Sequence, residues 1–186
     1  MNKMFFLMFV LVLLLSSQQF TFAEGNSTFK GTAEIVSCST SETIGKAILS
    51  ERQSDEGVKL VDITVIAGDL DKGKHGVHIH EVADCTPCGD AGGHFDPGPS
   101  ANSSPDGNHP FHMGDLVNLE VNGKGQGVMH TTTSRITLSP GPLSIFDGNG
   151  SAIVVHVNPD TYCPSGVESG CAGGARAACG VILPSD

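Results

Sequence analysis

The stretch Lys59-Leu60-Val61-Asp62-Ile63-Thr64-Val65 decides the fold class, because its apolar and polar residues partly alternate. Alternation with a period of two is typical of a β-strand with one buried face. It belongs to a run over 58–66, and similar short runs rich in Val, Ile, Leu and Thr recur at 28–37, 44–52, 77–82, 116–121, 127–132, 151–158 and 177–183. Glycines separate several of these runs at turn-like intervals, and helix signals are nearly absent. The sequence therefore predicts an all-β protein: a Greek-key β-sandwich or flattened barrel of about eight antiparallel strands.

The composition supports this fold and excludes some partners. The chain has 186 residues, with 24 glycines, 10 prolines and no tryptophan, as suits many turns and a core of small side chains. Twenty acidic residues against ten basic ones give a net charge of -10. Nucleic acids and anionic membrane surfaces attract clustered basic residues, so neither is expected as a partner. Two long segments poor in strand formers, 83–115 and 159–175, are expected to be functional loops.

The first 23 residues have the pattern of a secretory signal peptide. Lys3 precedes an apolar run over 4–15, and Ala23 ends the segment. That run falls short of the roughly 20 residues that a membrane-spanning helix needs, so a stable membrane anchor is not expected. The sequence predicts a signal peptide at 1–23, one domain at 24–186, and export to a periplasm or the extracellular space. It leaves open the oligomeric state, a homodimer included, and glycosylation at Asn26, Asn102 or Asn149.

Export changes the interpretation of the six cysteines, because an oxidising compartment favours disulfides. Cys85 and Cys88 have the CxxC spacing of some zinc and redox sites, but no second CxxC accompanies them. Six cysteines allow 15 pairings, so the sequence alone leaves the connectivity open.

Histidines supply the chemistry, since six of the eight lie in or beside the first loop. His78 and His80 flank Ile79 on a predicted strand, so both rings face one side, about 7 Å apart along the strand. Two imidazoles in that arrangement can converge on one ion. Together with the nearby Asp115 they favour copper or zinc over calcium or magnesium.

The ordered motifs resemble those of the copper/zinc superoxide dismutases over essentially the whole predicted domain. The motifs are HGVHIHE at 75–81, GHFDP at 93–97, HMGDL at 112–116, VVH at 154–156 and RAACGVI at 176–182. The resemblance implies a copper- and zinc-dependent enzyme that converts superoxide to dioxygen and hydrogen peroxide.

The resemblance also implies individual roles. His78, His80, His94 and His156 would bind copper, and His94 would bridge to a zinc ion held by His112 and Asp115. Asp160 would link the two metal sites, His75 would be structural, and His130 is expected to be exposed. Arg176 would hold the anionic substrate beside copper, so Arg176 and His94 are the expected catalytic residues. Either Cys85 or Cys88 would pair with Cys179, Cys85 being favoured, and Cys38 resembles a buried strand thiol.

The sequence departs from the family pattern in both loops. The family usually has a histidine eight residues after the bridging one, where this chain has Asn102. We expect His109 to supply the fourth zinc ligand. The alternatives are an exposed His109 with water completing the site, and an empty zinc site in a copper-only enzyme.

The second loop carries Cys163 and Cys171, which the family pattern lacks, and we expect a bridge between them. Cys38 and Cys88 are then left over.

Two other function classes stay open at this stage. The chain could be an exported copper-binding or copper-delivery domain without turnover, although such a carrier would not require Arg176. It could also be a structural β-sandwich with incidental histidines, which the five ordered motifs disfavour.

Overall fold

A computed structural model describes residues 29–98 and 106–186. Within these residues the chain forms ten strands and one short 3₁₀ turn at Cys88–Ala91. The strands are β1 (Lys30–Ser37), β2 (Thr43–Gln53), β3 (Lys59–Ala67), β4 (Gly73–His75), β5 (Val77–His80), β6 (Leu119–Val121), β7 (Gly127–Thr133), β8 (Ala152–His156), β9 (Arg176–Val181) and β10 (Leu183–Ser185). The predicted all-β class is confirmed. Strands β4 and β10 escaped prediction because three residues are too few to show an alternation.

The strands form one antiparallel sheet that curls into a flattened barrel. Its order is β4-β6-β7-β3-β2-β1-β9-β8-β5, with β10 on β1. The pairs β3 with β7 and β1 with β9 join strands that are distant in sequence, as Greek-key connections do. Strands β4 and β5 stand at opposite ends of this order, yet only Gly76 separates them in the chain. The two ends of the sheet are therefore drawn together.

The alternation in β3 fixes which face points inward. Val61, Ile63 and Val65 are each at most 1% exposed and belong to the main core cluster. Opposite Val65, the register places Ala47 of β2 and Met129 of β7, which are buried as well. A slip of one residue would turn this whole apolar set to solvent, so the buried face fixes the register.

Glu51 of β2 fastens the long connection between β7 and β8 to the barrel. One of its carboxylate oxygens accepts the N–H groups of Leu138 at 2.6 Å and Ser139 at 2.8 Å, and the other accepts the Ser139 hydroxyl at 2.7 Å. Burial acts to raise the pKa of Glu51, but these hydrogen bonds and the nearby Lys59 ammonium outweigh it, and the pKa lies below its usual value. The carboxylate is thus ionised at neutral pH.

Some predictions fall on residues that the structure does not describe. The signal peptide at 1–23 lies outside the described ranges, as do Asn26 and Asn102. Among the described residues, no helix has the length and apolar character needed to cross a membrane.

Candidate metal centre

Strand β5 is the base on which the centre is built. On one side it pairs with β8, which ends at His156. On its other side lies the first loop: Phe95 donates its N–H to the Ile79 carbonyl at 2.8 Å, and Ile79 donates to the Gly114 carbonyl at 2.9 Å. Isolated bridges consequently pair His80 with His94 and His78 with Asp115. Main-chain hydrogen bonds thus bring residues from three parts of the sequence to one strand.

Gly114 permits the close approach of this loop to β5. A Cβ atom at this position would lie 2.3 Å from the Ile79 carbonyl oxygen and 3.1 Å from Cβ of Phe95. Only a residue without a side chain fits there while keeping the hydrogen bond. The glycine directly before Asp115 therefore sets how near that carboxylate comes to His78.

Four buried imidazoles come together beside β5: His78, His80, His94 and His156. One ring nitrogen of each can be chosen so that all lie within 4.8 Å of one another. The ring centroid of His78 lies 4.1 Å from that of His94 and 4.9 Å from that of His156. The structure thus brings together the four residues expected to bind copper.

Three of these rings are oriented by acceptors on the side away from the cluster. His80 Nδ1 donates to the Gly92 carbonyl at 3.0 Å, and His156 Nδ1 donates to the Gly174 carbonyl at 2.8 Å. His78 Nε2 lies 3.0 Å from a carboxylate oxygen of Asp160. Because these oxygens accept a hydrogen bond from the nearer nitrogen, the opposite nitrogen of each neutral ring carries a lone pair.

Those opposite nitrogens show that the cluster fits a metal. His78 Nδ1, His80 Nε2 and His156 Nε2 are buried without a hydrogen-bond partner. Buried polar atoms normally have a partner, so three lone pairs directed into one buried cluster indicate a bound cation. Imidazole nitrogen is a ligand that suits both copper and zinc.

The protonation of the rings agrees with metal binding. Burial is the main reason that the pKa of His80 lies well below its usual value, that of His94 falls to about 4, and that of His156 to about 3. At neutral pH these rings are neutral. Binding a metal through one nitrogen of each ring therefore does not have to displace a proton.

Asp115 is the centre of a second group of ligands. Its Oδ1 lies 2.7 Å from His94 Nδ1, and its Oδ2 lies 3.1 Å from His109 Nδ1 and 3.2 Å from His112 Nδ1. Burial would raise the pKa of Asp115, but the contacts with the three histidines prevail and hold it far below its usual range. Three of the four residues expected to bind zinc thus surround the ionised carboxylate of the fourth, Asp115.

The tightest grouping of ligand atoms at this second position differs slightly from the expected set. Atoms of His78, His94, His109 and Asp115 all lie within 4.8 Å of one another. This group contains His78 in place of His112, whose main-chain N–H also donates to Asp115, at 2.9 Å. The two groups share His94, as a bridging residue requires, and they also share His78.

Asp160 joins the two groups through its carboxylate. One oxygen lies 3.0 Å from His78 Nε2, and both oxygens lie 2.8 Å from His109 Nε2. Burial acts to lower the pKa of His109, but Asp115 and Asp160 raise it to about 9. His109 is 5% exposed, so the alternative of an exposed His109 is wrong.

Asn118 is a supporting residue that the sequence analysis missed. Its amide nitrogen donates to the Asp160 carbonyl at 2.9 Å and to the Tyr162 hydroxyl at 3.1 Å. Its amide oxygen accepts the Asp160 N–H at 2.8 Å. A lone asparagine just before a strand carries no signal of this role, because the partner lies 42 residues away.

The remaining described histidines lie outside both groups. His75 has Nδ1 2.8 Å from the His156 carbonyl and Nε2 2.8 Å from the Asp71 carbonyl, so both nitrogens are engaged by main chain. His130 is exposed and contacts the Thr64 hydroxyl. These positions agree with the structural role expected for His75 and the exposure expected for His130.

Arg176 lies at the start of β9, in register with His156. Its guanidinium donates to the carbonyls of Cys88 and Gly92, so the Gly92 oxygen is shared by Arg176 and His80. Burial lowers the pKa of Arg176 from 12.5, but guanidinium stays charged at neutral pH. That charge contributes to the low pKa of His80 and His156, which places a cation beside the histidine cluster.

All six cysteines are paired in the structure. Cys85 bridges to Cys179, the pairing favoured from the resemblance, and Cys163 bridges to Cys171, as expected for the second loop. The third bridge, Cys38–Cys88, was not expected. Cys38 is not a buried strand thiol: it follows the end of β1, where the pairing of Val36 with Cys179 brings β1 beside the anchored first loop.

Comparison with known proteins agrees with this geometry. The sequence profile of copper/zinc superoxide dismutase (SODC) matches residues 43–182. A Legionella pneumophila protein named superoxide dismutase [Cu-Zn] is 37% identical over 142 residues, covering 75% of this chain and 77% of its own length. A Dictyostelium discoideum protein named superoxide dismutase [Cu-Zn] 5 is also 37% identical over 142 residues, covering 74% of this chain and 90% of its own.

A solved structure supports the same relationship. The crystal structure of a SOD-like protein from Bacillus subtilis superposes with a TM-score of 0.64 at 27% identity, covering 83% of this chain and 99% of that one. With the barrel, the two ligand groups and the matching motifs all in place, the chain belongs to the copper/zinc superoxide dismutase family.

Proposed function

We propose that the protein is a superoxide dismutase, which converts two superoxide anions and two protons into dioxygen and hydrogen peroxide. One observation carries the proposal: three buried imidazole nitrogens without partners are directed into the cluster beside which Arg176 stands. A buried metal position next to a permanent cation suits a small anionic substrate.

The donor atoms suggest how the two metals are shared. We assign copper to His78, His80, His94 and His156, and zinc to His94, His109, His112 and Asp115. Copper supplies the one-electron redox change, which zinc cannot, so the zinc group has a structural and electrostatic role. Imidazole nitrogen and carboxylate oxygen are both zinc ligands, and four such ligands suit a structural zinc ion.

Arg176 binds the substrate. Its hydrogen bonds go to two main-chain carbonyls, and among the described residues the carboxylate that interacts with it electrostatically, Asp90, makes no hydrogen bond to it. The charge attracts superoxide and holds it beside the histidine cluster. Because the whole chain carries a net charge of -10, this local potential has to act against the overall field.

His94 handles a proton between the two groups. Its Nδ1 lies 2.7 Å from an oxygen of Asp115, and its other ring nitrogen would be the one that binds copper. Burial lowers the pKa of the ring to about 4, so a proton that His94 accepts from solvent would be held only briefly at neutral pH and released to the peroxide product.

The protein is exported through its N-terminal segment. Three disulfides among the described residues support an oxidising destination, in which cysteines pair and persist. Mass spectrometry of the protein purified from its host tests this: a mature N-terminus after Ala23 is expected, and retention of residues 1–23 in an intracellular fraction contradicts it.

Superoxide consumption by the purified chain loaded with copper and zinc tests the activity. The proposal expects turnover that depends on copper and survives His130→Ala, since that exposed ring contacts only Thr64 among the described hydrogen bonds. Stoichiometric copper binding without turnover would instead identify a copper carrier.

A further inference from the structure

The carboxylate of Asp106, in the first loop, is bound by the second loop. Its Oδ2 accepts the N–H of Gly170 at 3.0 Å, and its Oδ1 accepts the N–H of Ala172 at 3.1 Å. Hydrogen bonds from two N–H groups to one carboxylate are charge-assisted and directional. Asp106 therefore joins two loops that are 64 residues apart in sequence.

The two donors flank Cys171, whose position is itself fixed. The Cys163–Cys171 disulfide closes a short loop with a sequence separation of 8. The Cys171 carbonyl accepts the main-chain N–H of Thr161 at 2.9 Å and its hydroxyl at 3.1 Å. An isolated bridge pairs Ala172 with Asp160. The segment that binds Asp106 is thus paired with the segment that carries Asp160.

Residues 106–109 consequently contact the second loop at two points. Asp106 binds the N–H groups beside Cys171, and His109 binds the carboxylate of Asp160 at 2.8 Å. Both anchor points lie on the same pair of main-chain segments. Because Asp106 lies only three residues before His109, fixing Asp106 restricts the position of the His109 main chain.

We propose that Asp106 is a positioning residue for zinc: it binds the main chain on both sides of Cys171, at one end of the Cys163–Cys171 disulfide, and thereby holds His109 in place. The inference rests on the zinc assignment made above. It explains how His109, only three residues before His112, is held beside Asp115. His109 then takes the place of the histidine that the family pattern has at the position of Asn102. Asp106 does not contact the metal ligands in the described hydrogen bonds; it acts through His109.

The test compares Asp106→Asn with a matched control. Asparagine keeps the size of the side chain but replaces one accepting oxygen by a donor, so one of the two N–H groups loses its acceptor. The control is Asp84→Asn, because the Asp84 carboxylate also accepts a main-chain N–H, from Thr86 at 2.9 Å, but within its own loop. Zinc affinity is measured by competition with a chelator, and the absorption spectrum of cobalt(II) bound in place of zinc reports the ligand geometry.

We expect Asp106→Asn to weaken zinc binding about tenfold and to change the cobalt spectrum, while copper content stays at the wild-type level. Asp84→Asn should leave both readouts unchanged. Opening the loop with Cys163→Ser and Cys171→Ser should produce the same change, and adding Asp106→Asn should then have little further effect. Wild-type zinc affinity and cobalt spectrum in Asp106→Asn would overturn the proposal.

The experiment separates this inference from the proposed function. The role of Asp106 alone is refuted if the wild type binds both metals and turns over superoxide, and Asp106→Asn has the zinc affinity and cobalt spectrum of the wild type. The enzymatic activity alone is refuted if the wild type binds zinc without turning over superoxide, and Asp106→Asn binds zinc more weakly than the wild type.

Discussion

Replacing His109 by alanine tests the assignment of the zinc ligands and yields a stability change that can be worked out from the structure. His109 is 5% exposed and contacts two buried carboxylates, at 3.1 Å from Asp115 and 2.8 Å from Asp160. Removing one partner from a buried charge pair costs about 3–5 kcal/mol. The lower end applies here, because Asp115 keeps His94 and His112, and Asp160 keeps His78.

For the metal-free protein we therefore expect His109→Ala to lower the free energy of unfolding by about 3 kcal/mol, which is a fall in Tm of about 6–12 °C for a chain of this size. The pKa of His109 is raised from 6.5 to about 9 in the folded protein. Its contribution is therefore fully present below pH 6.5 and is lost as the pH rises through about 9. The difference from wild type should shrink over that window, as measured by calorimetry at a series of pH values.

In the metal-loaded protein the same variant should lose zinc and keep copper, which metal analysis measures directly. His112→Ala should also lose zinc, while His130→Ala, at an exposed position, should retain both metals. If His109→Ala retains full zinc while His112→Ala loses it, His109 is not a ligand. The reasoning from Asp160 and Asp115 would then be refuted.

Three further predictions concern other residues. Arg176→Ala should leave copper content intact and lower kcat/KM roughly tenfold at low ionic strength, since the side chain attracts the anion without binding metal; unchanged turnover in stopped-flow assays would contradict this. Because the folded-state pKa of Glu51 is lowered from 4.5, its contribution to stability is present above that pH and is lost as the pH falls. Glu51→Gln should thus lower the free energy of unfolding in urea by about 2 kcal/mol at neutral pH and by less in acid. An equal loss at both pH values would show that the charge of the Glu51 carboxylate does not contribute. Arg135 donates to three main-chain carbonyls within 110–115 at 3.0–3.2 Å, so Arg135→Ala should speed zinc release to a chelator, with Arg135→Lys in between.

Much of the fold was predictable because it follows from local patterns. The alternation in β3 is visible in the sequence and reappears as the buried face of that strand. The lengths of the strands near the site were less predictable: β6 is only Leu119–Val121, although the apolar pattern begins at 116. Asn118, just before β6, binds Asp160 of the second loop, and a local pattern contains no information about such a partner.

The candidate site divides in the same way. The histidines of β5 could be found from their spacing, and the other ligands from the resemblance, because both depend on residue identity in order. The supporting residues could not be found from the sequence. The side chains of Asp106, Asn118 and Arg135 bind main-chain atoms of distant segments, and any residue type supplies those atoms. The Cys38–Cys88 bridge likewise depends on the proximity of two segments with a sequence separation of 50.

The Gly92 carbonyl, shared by His80 and Arg176, couples two properties that an engineer would want to vary separately. If Gly92 moves, the His80 ring and the Arg176 guanidinium move with it in the same direction. The distance between the two groups is therefore preserved when the loop shifts as a unit. Loop substitutions near this carbonyl will thus alter metal retention and substrate capture together. Independent tuning of substrate capture has to begin on β9, where Arg176 is attached, and leave the loop untouched.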